Sequence, residues 1–198
     1  MEISIKNTDV ERAEKIRIDR PQWGYTEYVP NVYVQLTYNE TGFDVKFTVE
    51  ESNPLCEKKE NFGNIHEDSC VEFFAKFDPE NSDKYMNFEV NAIGTVKAAI
   101  RTCREDFQFL SQEDIESLNI KTEISQNFWT VDYHISTDLL EKLYPKFNVK
   151  KCNYIMANFY KCGNKTAVEH YLSLFEINCA KPDFHRPEYF GRINLKMI

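Results

Sequence analysis

No apolar run in this 198-residue chain approaches a membrane span, which needs roughly 20 consecutive apolar residues. The N-terminus, Met1-Glu2-Ile3-Ser4-Ile5-Lys6, has no basic region followed by an apolar stretch. No signal peptide is visible, so the expected localisation is cytoplasmic, or secreted if a leader was removed. Positive charge is in short supply: 24 Lys and Arg stand against 32 Asp and Glu, for a net charge of −8. Such a chain repels phosphate backbones, which argues against nucleic acid as a partner. The six cysteines form no CxxC pair, and no histidine sits at zinc-finger spacing. They read as free, partly buried thiols in a reducing compartment, with disulfides in a secreted protein as the alternative that their even number leaves open. There is no internal repeat, linker or low-complexity tract. Residues 1–198 read as one domain, long enough to bury its apolar surface without staples.

What the chain does have is alternation. In Ser69–Phe77, Val71, Phe73, Ala75 and Phe77 point one way, and Cys70, Glu72, Phe74 and Lys76 the other. In Tyr85–Ala92, Met86, Phe88, Val90 and Ala92 oppose Tyr85, Asn87, Glu89 and Asn91. Side chains on a strand alternate with period two, so each segment buries one face and presents a polar one. Asn31–Tyr38 and Gly42–Glu50 flank the turn Asn39-Glu40-Thr41-Gly42 and read as a hairpin. Thr95–Arg101, Ile120–Ile124, Phe128–Ile135, Asn153–Lys161, Glu169–Phe175 and Tyr189–Leu195 continue the pattern, with Ile3–Ile5 and Lys15–Ile18 as short candidates. Residues 104–119 break it, with a short helix over Gln112–Leu118. A second helix over Asp138–Leu143 is expected to be capped by Thr137. About eleven short strands with few helices predict an all-β fold. The expected architecture is an antiparallel β-sandwich, immunoglobulin-like or jelly-roll-like, with one or two short helices.

Several motifs occur in a familiar order. Asp68-Ser69-Cys70-Val71-Glu72-Phe73-Phe74 resembles the D-x-x-V-E-x-F strand of family 9 carbohydrate-binding modules, and Phe88-Glu89-Val90-Asn91-Ala92-Ile93-Gly94 resembles the strand after it. Ala157-Asn158-Phe159-Tyr160-Lys161-Cys162-Gly163, His170-Tyr171-Leu172-Ser173 and the segment from Pro182 to Gly191 resemble the C-terminal half of the same group. The resemblance spans residues 15–197. It implies a β-sandwich, no catalysis, and recognition of sugars, often at a chain end. It also implies attachment to enzymes that degrade plant polysaccharides, and often a structural calcium. In the best-known members two tryptophans clamp a sugar ring. Those positions fall at Ile65 and Leu174 here, and neither is aromatic. The family's carboxylate and asparagine carry over onto Glu72 and Asn91, and a family arginine falls at Glu89.

The candidate binding face collects Glu72, Glu89, Asn91, Arg101, Asn158 and Tyr160, with Lys97 extending it. Carboxylates and amides pair with vicinal hydroxyls in fixed geometry. Tyr160 is a candidate stacking platform in place of the missing tryptophans. Trp129 alternates with Val131, Tyr133 and Ile135 and reads as core, whereas Trp23, in a loop, either lines a pocket or plugs the end of the sandwich. His66 and His185 read as hydrogen-bonded histidines, not metal ligands. Asp78, Glu80 and Asp83, with Asn81, bring hard oxygen ligands into one turn and are the candidate calcium site. No other cofactor is expected. The leading expectation is non-catalytic binding of a mono- or oligosaccharide, with an enzyme as companion domain and no membrane partner. The alternatives are a glycoside hydrolase or esterase using Glu72, an interaction domain with a degenerate sugar site, and a haem-binding relative, which needs an axial Met or His pair.

Overall fold

A computed structural model describes residues 3–6 and 8–196. In chain order the elements are β1 (Ile3–Lys6), β2 (Ile16–Arg17), β3 (Arg20–Pro21), β4 (Asn31–Asn39), β5 (Gly42–Glu50), β6 (Cys70–Lys76), β7 (Tyr85–Asn91), β8 (Val96–Arg101), β9 (Phe107–Phe109), α1 (Gln112–Ser117), β10 (Lys121–Ile124), β11 (Trp129–Ser136), α2 (Thr137–Leu143), β12 (Tyr154–Gly163), β13 (His170–Ser173) and β14 (Gly191–Lys196). They form two sheets. The larger runs β1-β14-β12-β6-β7-β8-β9, with β13 branching from β12 and pairing β3; the smaller runs β10-β11-β5-β4-β2. Every pairing is antiparallel except that of β1 with β14, which is parallel.

The two sheets face each other across one apolar core. The alternation read from the sequence decides which side chains enter it. Val71, Phe73 and Ala75 of β6, Met86, Phe88 and Val90 of β7, and Ile155, Ala157 and Phe159 of β12 meet Val32 to Tyr38, Phe43 to Val49 and Trp129 to Ile135 from the smaller sheet, taken at alternate positions. Phe73 and Phe159 stack at 4.5 Å with nearly parallel rings. The β4–β5 hairpin turns through Glu40 and Thr41. Gly42 follows at φ 138°, where an added Cβ would lie 2.1 Å from the Ile135 carbonyl oxygen. Only glycine fits there.

Helix α2 starts one residue before the expected position. Its N-cap is Ser136, whose Oγ accepts from the Leu139 N–H, while Thr137 Oγ1 donates to the Glu40 carbonyl. Strands β3 and β9 were not expected. At two and three residues they are too short to show a period.

One end of the core carries charge. Lys161 is fully buried, with Nζ 3.4 Å from Glu51 Oε2 and 2.7 Å from His170 Nε2. The Trp129 indole N–H donates to Glu51 at 2.9 Å. Burial, reinforced by Lys161, pushes the His170 pKa down to about 4, so His170 is neutral at pH 7.

Phe159→Ala removes a ring that packs against Phe73 and Phe47. It should lower the unfolding free energy by about 3–5 kcal/mol in a denaturant titration. A loss below about 1 kcal/mol would contradict this packing.

Candidate functional site

The larger sheet has a second, outer face, and cross-strand register sets its layout. One row runs Tyr160–Glu72–Glu89–Lys97 across β12, β6, β7 and β8. The rows on either side run Cys162–Cys70–Asn91 and Asn158–Phe74–Asn87–Ala99. Glu72, Glu89, Asn91, Asn158 and Tyr160 therefore share one face, as the alternation predicts.

At the centre of the sheet that face is largely shut off from bulk water, contrary to the polar surface expected from the pattern. A second apolar cluster lies on it, in which Phe74, Tyr85, Tyr160 and Tyr171 of the sheet pack with Ile65, Ile177, Phe184 and Phe190 from segments outside its strands. What remains open is a cleft of about 400 Å³. Its floor is Glu72, Glu89, Lys97 and Cys162; its walls include Trp23, His66, Arg104, Tyr171, Asp183, Phe184 and His185.

The walls combine aromatic and charged side chains. The Trp23 ring lies 5.6 Å from Tyr171, edge to face, and 5.4 Å from Phe184. Trp23 has φ 54°, in the left-handed region, which is costly for a bulky residue. Its indole N–H, donating to the Cys179 carbonyl at 3.0 Å, holds it there. The Tyr171 hydroxyl donates to Glu169 at 2.6 Å. Arg104 bridges to Asp183, the neighbour of Phe184, at 2.7 Å.

Burial governs the electrostatics of the floor. Glu72 has its pKa raised well above the usual carboxylate value, by desolvation first and then by Cys162 and Glu89. Glu89 is also raised, because desolvation outweighs Lys97, Arg101 and Arg104. Lys97 Nζ is 3.7 Å from Glu89 Oε2, and the Asn87 amide donates to Glu89 Oε1 at 3.1 Å. The His66 ring lies 4.0 Å from Glu89, and burial followed by Lys97 lowers its pKa. His185 falls to about 2, mainly through burial, and meets the Tyr85 hydroxyl at 3.0 Å.

The structure divides the expected site residues. Glu72 and Glu89 line the cleft, as does Lys97. Asn91, Arg101, Asn158 and Tyr160 lie beneath or beside it, with their polar atoms held by protein partners. Asn91 Nδ2 donates to the Lys58 carbonyl and to Asp68, both at 2.9 Å, and its Oδ1 accepts from the Thr95 N–H. Asn158 bonds both the N–H and the carbonyl of Phe175. Arg101 donates to Asn87 and to the Arg104 carbonyl. Tyr160 stacks under Phe184 at 4.1 Å, so its ring is no open platform. The two clamp positions are also internal: Ile65 is in the outer-face cluster and Leu174 in the sandwich core. Trp129 is core, as expected, and Trp23 lines the cleft instead of plugging an end.

Asp78, Glu80 and Asp83 do not converge as a ligand set. Asp78 Oδ1 accepts from Asn81 instead. Among the described residues, the one cluster of three metal-competent side chains is Cys70, Glu72 and Cys162. Tyr171, Phe184, Arg104 and Asp183 were not among the expected site residues. All but Arg104 lie in the motifs His170–Ser173 and Pro182–Gly191, whose aromatic residues were the available signal.

Raised carboxylate pKa values make a signed prediction. A group that holds its proton more tightly when folded contributes stability that is complete below its unfolded pKa and is lost as pH rises through the folded one. Relative to Glu72→Gln, the wild type should therefore lose melting temperature progressively as pH rises above the ordinary carboxylate value of 4.5. Paired thermal melts across pH check this; a difference that does not change with pH would contradict the burial assigned to Glu72.

Comparison with known proteins adds the following. The family model described as carbohydrate-binding family 9 matches residues 4–195. No curated protein matches the chain. A crystal structure of a candidate carbohydrate-binding protein from Bacteroides uniformis superposes with a TM-score of 0.83 at 23% identity, covering 98% of this chain and 99% of that one. A family 9 module from Caldicellulosiruptor kristjanssonii in complex with glucose gives a TM-score of 0.68 at 14% identity, covering 100% and 97%. The cellotriose complex from the same organism gives 0.67 at 12%, covering 100% and 95%. At these identities the structural likeness shows the fold.

Proposed function

The chain belongs to carbohydrate-binding family 9, and on that premise we propose that it binds a pyranose sugar, non-catalytically, in the cleft over the outer face of the larger sheet. One observation carries the placement: the Trp23, Tyr171 and Phe184 rings and the Glu72, Glu89 and Lys97 side chains border the same cavity. A pyranose has an apolar C–H face and an equatorial belt of hydroxyls. Aromatic walls suit the first, and carboxylates with an ammonium group suit the second. The cavity of about 400 Å³ falls within the roughly 300–1,000 Å³ common for small-molecule sites.

Glucose, alone or at the end of a short β-glucan, is the ligand to try first. The related modules from Caldicellulosiruptor kristjanssonii were solved with glucose and with cellotriose. An accessory role beside a polysaccharide-degrading enzyme rests on the family membership.

Calorimetric titration with glucose, cellotriose and a wider sugar panel tests the reading. Saturable binding is expected. Trp23→Ala should weaken it at least tenfold, about 1.4 kcal/mol, while Cys103→Ser, at an exposed position, leaves it unchanged. Absence of binding across the panel, or full affinity in Trp23→Ala, would overturn it.

A further inference from the structure

We propose that Cys70, Glu72 and Cys162 form a binding site for a thiophilic divalent cation, zinc or cadmium, in the floor of the cleft. The backbone builds this site without any loop. Cys70 and Glu72 are two residues apart on β6 and so project from the same face. Cys162 on β12 is directly opposite Cys70 in the antiparallel register. Their two Sγ atoms and one carboxylate oxygen all lie within 4.8 Å of one another. Cys162 Sγ already donates to Glu72 Oε1 at 3.0 Å. Tetrahedral zinc with Zn–S bonds of ~2.3 Å needs sulfurs about 3.8 Å apart. The set is therefore within about an ångström of that spacing.

Access and chemistry agree with this. Cys70 is fully buried, but Cys162 and Glu72 line the cleft, which gives an ion an entry path. Two thiolates and a carboxylate select zinc or cadmium over calcium or magnesium, which prefer all-oxygen sets. The thiols are unpaired as disulfides. Burial pushes the Cys70 thiol up to about 11 and Cys162 up as well, so both are protonated at neutral pH until a cation displaces the protons to solvent. The proposal does not depend on the sugar reading, and the Asp78 turn plays no part in it.

Cadmium titration of the reduced chain tests it through the thiolate-to-cadmium charge-transfer absorbance, with zinc added in competition. One equivalent per chain is expected. Cys70→Ser and Cys162→Ser should each reduce affinity about 100-fold or more, and Cys103→Ser should leave it unchanged. X-ray absorption of the loaded wild type, which needs no variant to fold, should report two sulfur ligands. Absence of the band in the reduced wild type, a coordination shell without sulfur, or unchanged uptake in either Cys70→Ser or Cys162→Ser would overturn the proposal. Trp23→Ala should bind the metal normally, so failure of the sugar reading and failure of the metal site are separately visible.

Discussion

The larger sheet is covered on both faces at its centre. One side packs on the smaller sheet, and the other lies under the segments carrying Ile65, Ile177 and Phe184. Polar groups on that outer face must find partners among those segments, since a buried donor or acceptor left unpaired costs about 1–3 kcal/mol. Asn158 takes both backbone groups of Phe175, Asn91 ties together Lys58, Asp68 and Thr95, and Tyr160 donates to the Phe184 carbonyl while stacking on its ring. These bonds tie the covering segments to the strands, and the one from Tyr160 reaches Phe184 of the cleft wall.

The cleft opens where this cover stops. Its floor keeps two carboxylates, Glu72 and Glu89, in surroundings that favour their protonated forms, tempered at Glu89 by Lys97. Its aromatic wall depends on Trp23 holding a left-handed backbone against its own steric preference, with the Cys179 carbonyl as anchor. Such preorganisation lets contact area convert into affinity, because less ordering remains to be done when a ligand arrives.

Which residues share the floor was legible in the sequence, because strand parity decides it: Glu72 and Glu89 fall on one face, with Tyr160 and Lys97 in the same row. What covers that face was not. Period two says which side a residue points to and is silent about whether water or a loop meets it. A polar strand face suggests solvent in a sandwich, yet here Asn91, Asn158 and Tyr160 are completely buried. The aromatic wall was hidden for a related reason. Tyr171 lies on a four-residue strand and Phe184 in an irregular segment, so no periodicity marks either. Ile65 and Leu174, expected at the sugar clamp, turned out to be apolar filling on opposite sides of the sheet.

A crystal structure of the chain soaked with glucose tests the central claim most directly. A pyranose ring bordered by Trp23, Tyr171 and Phe184 is expected, with its hydroxyls bonded to Glu89, Lys97 or Glu72. A ring bound on another surface, with this cleft filled only by water, would contradict it.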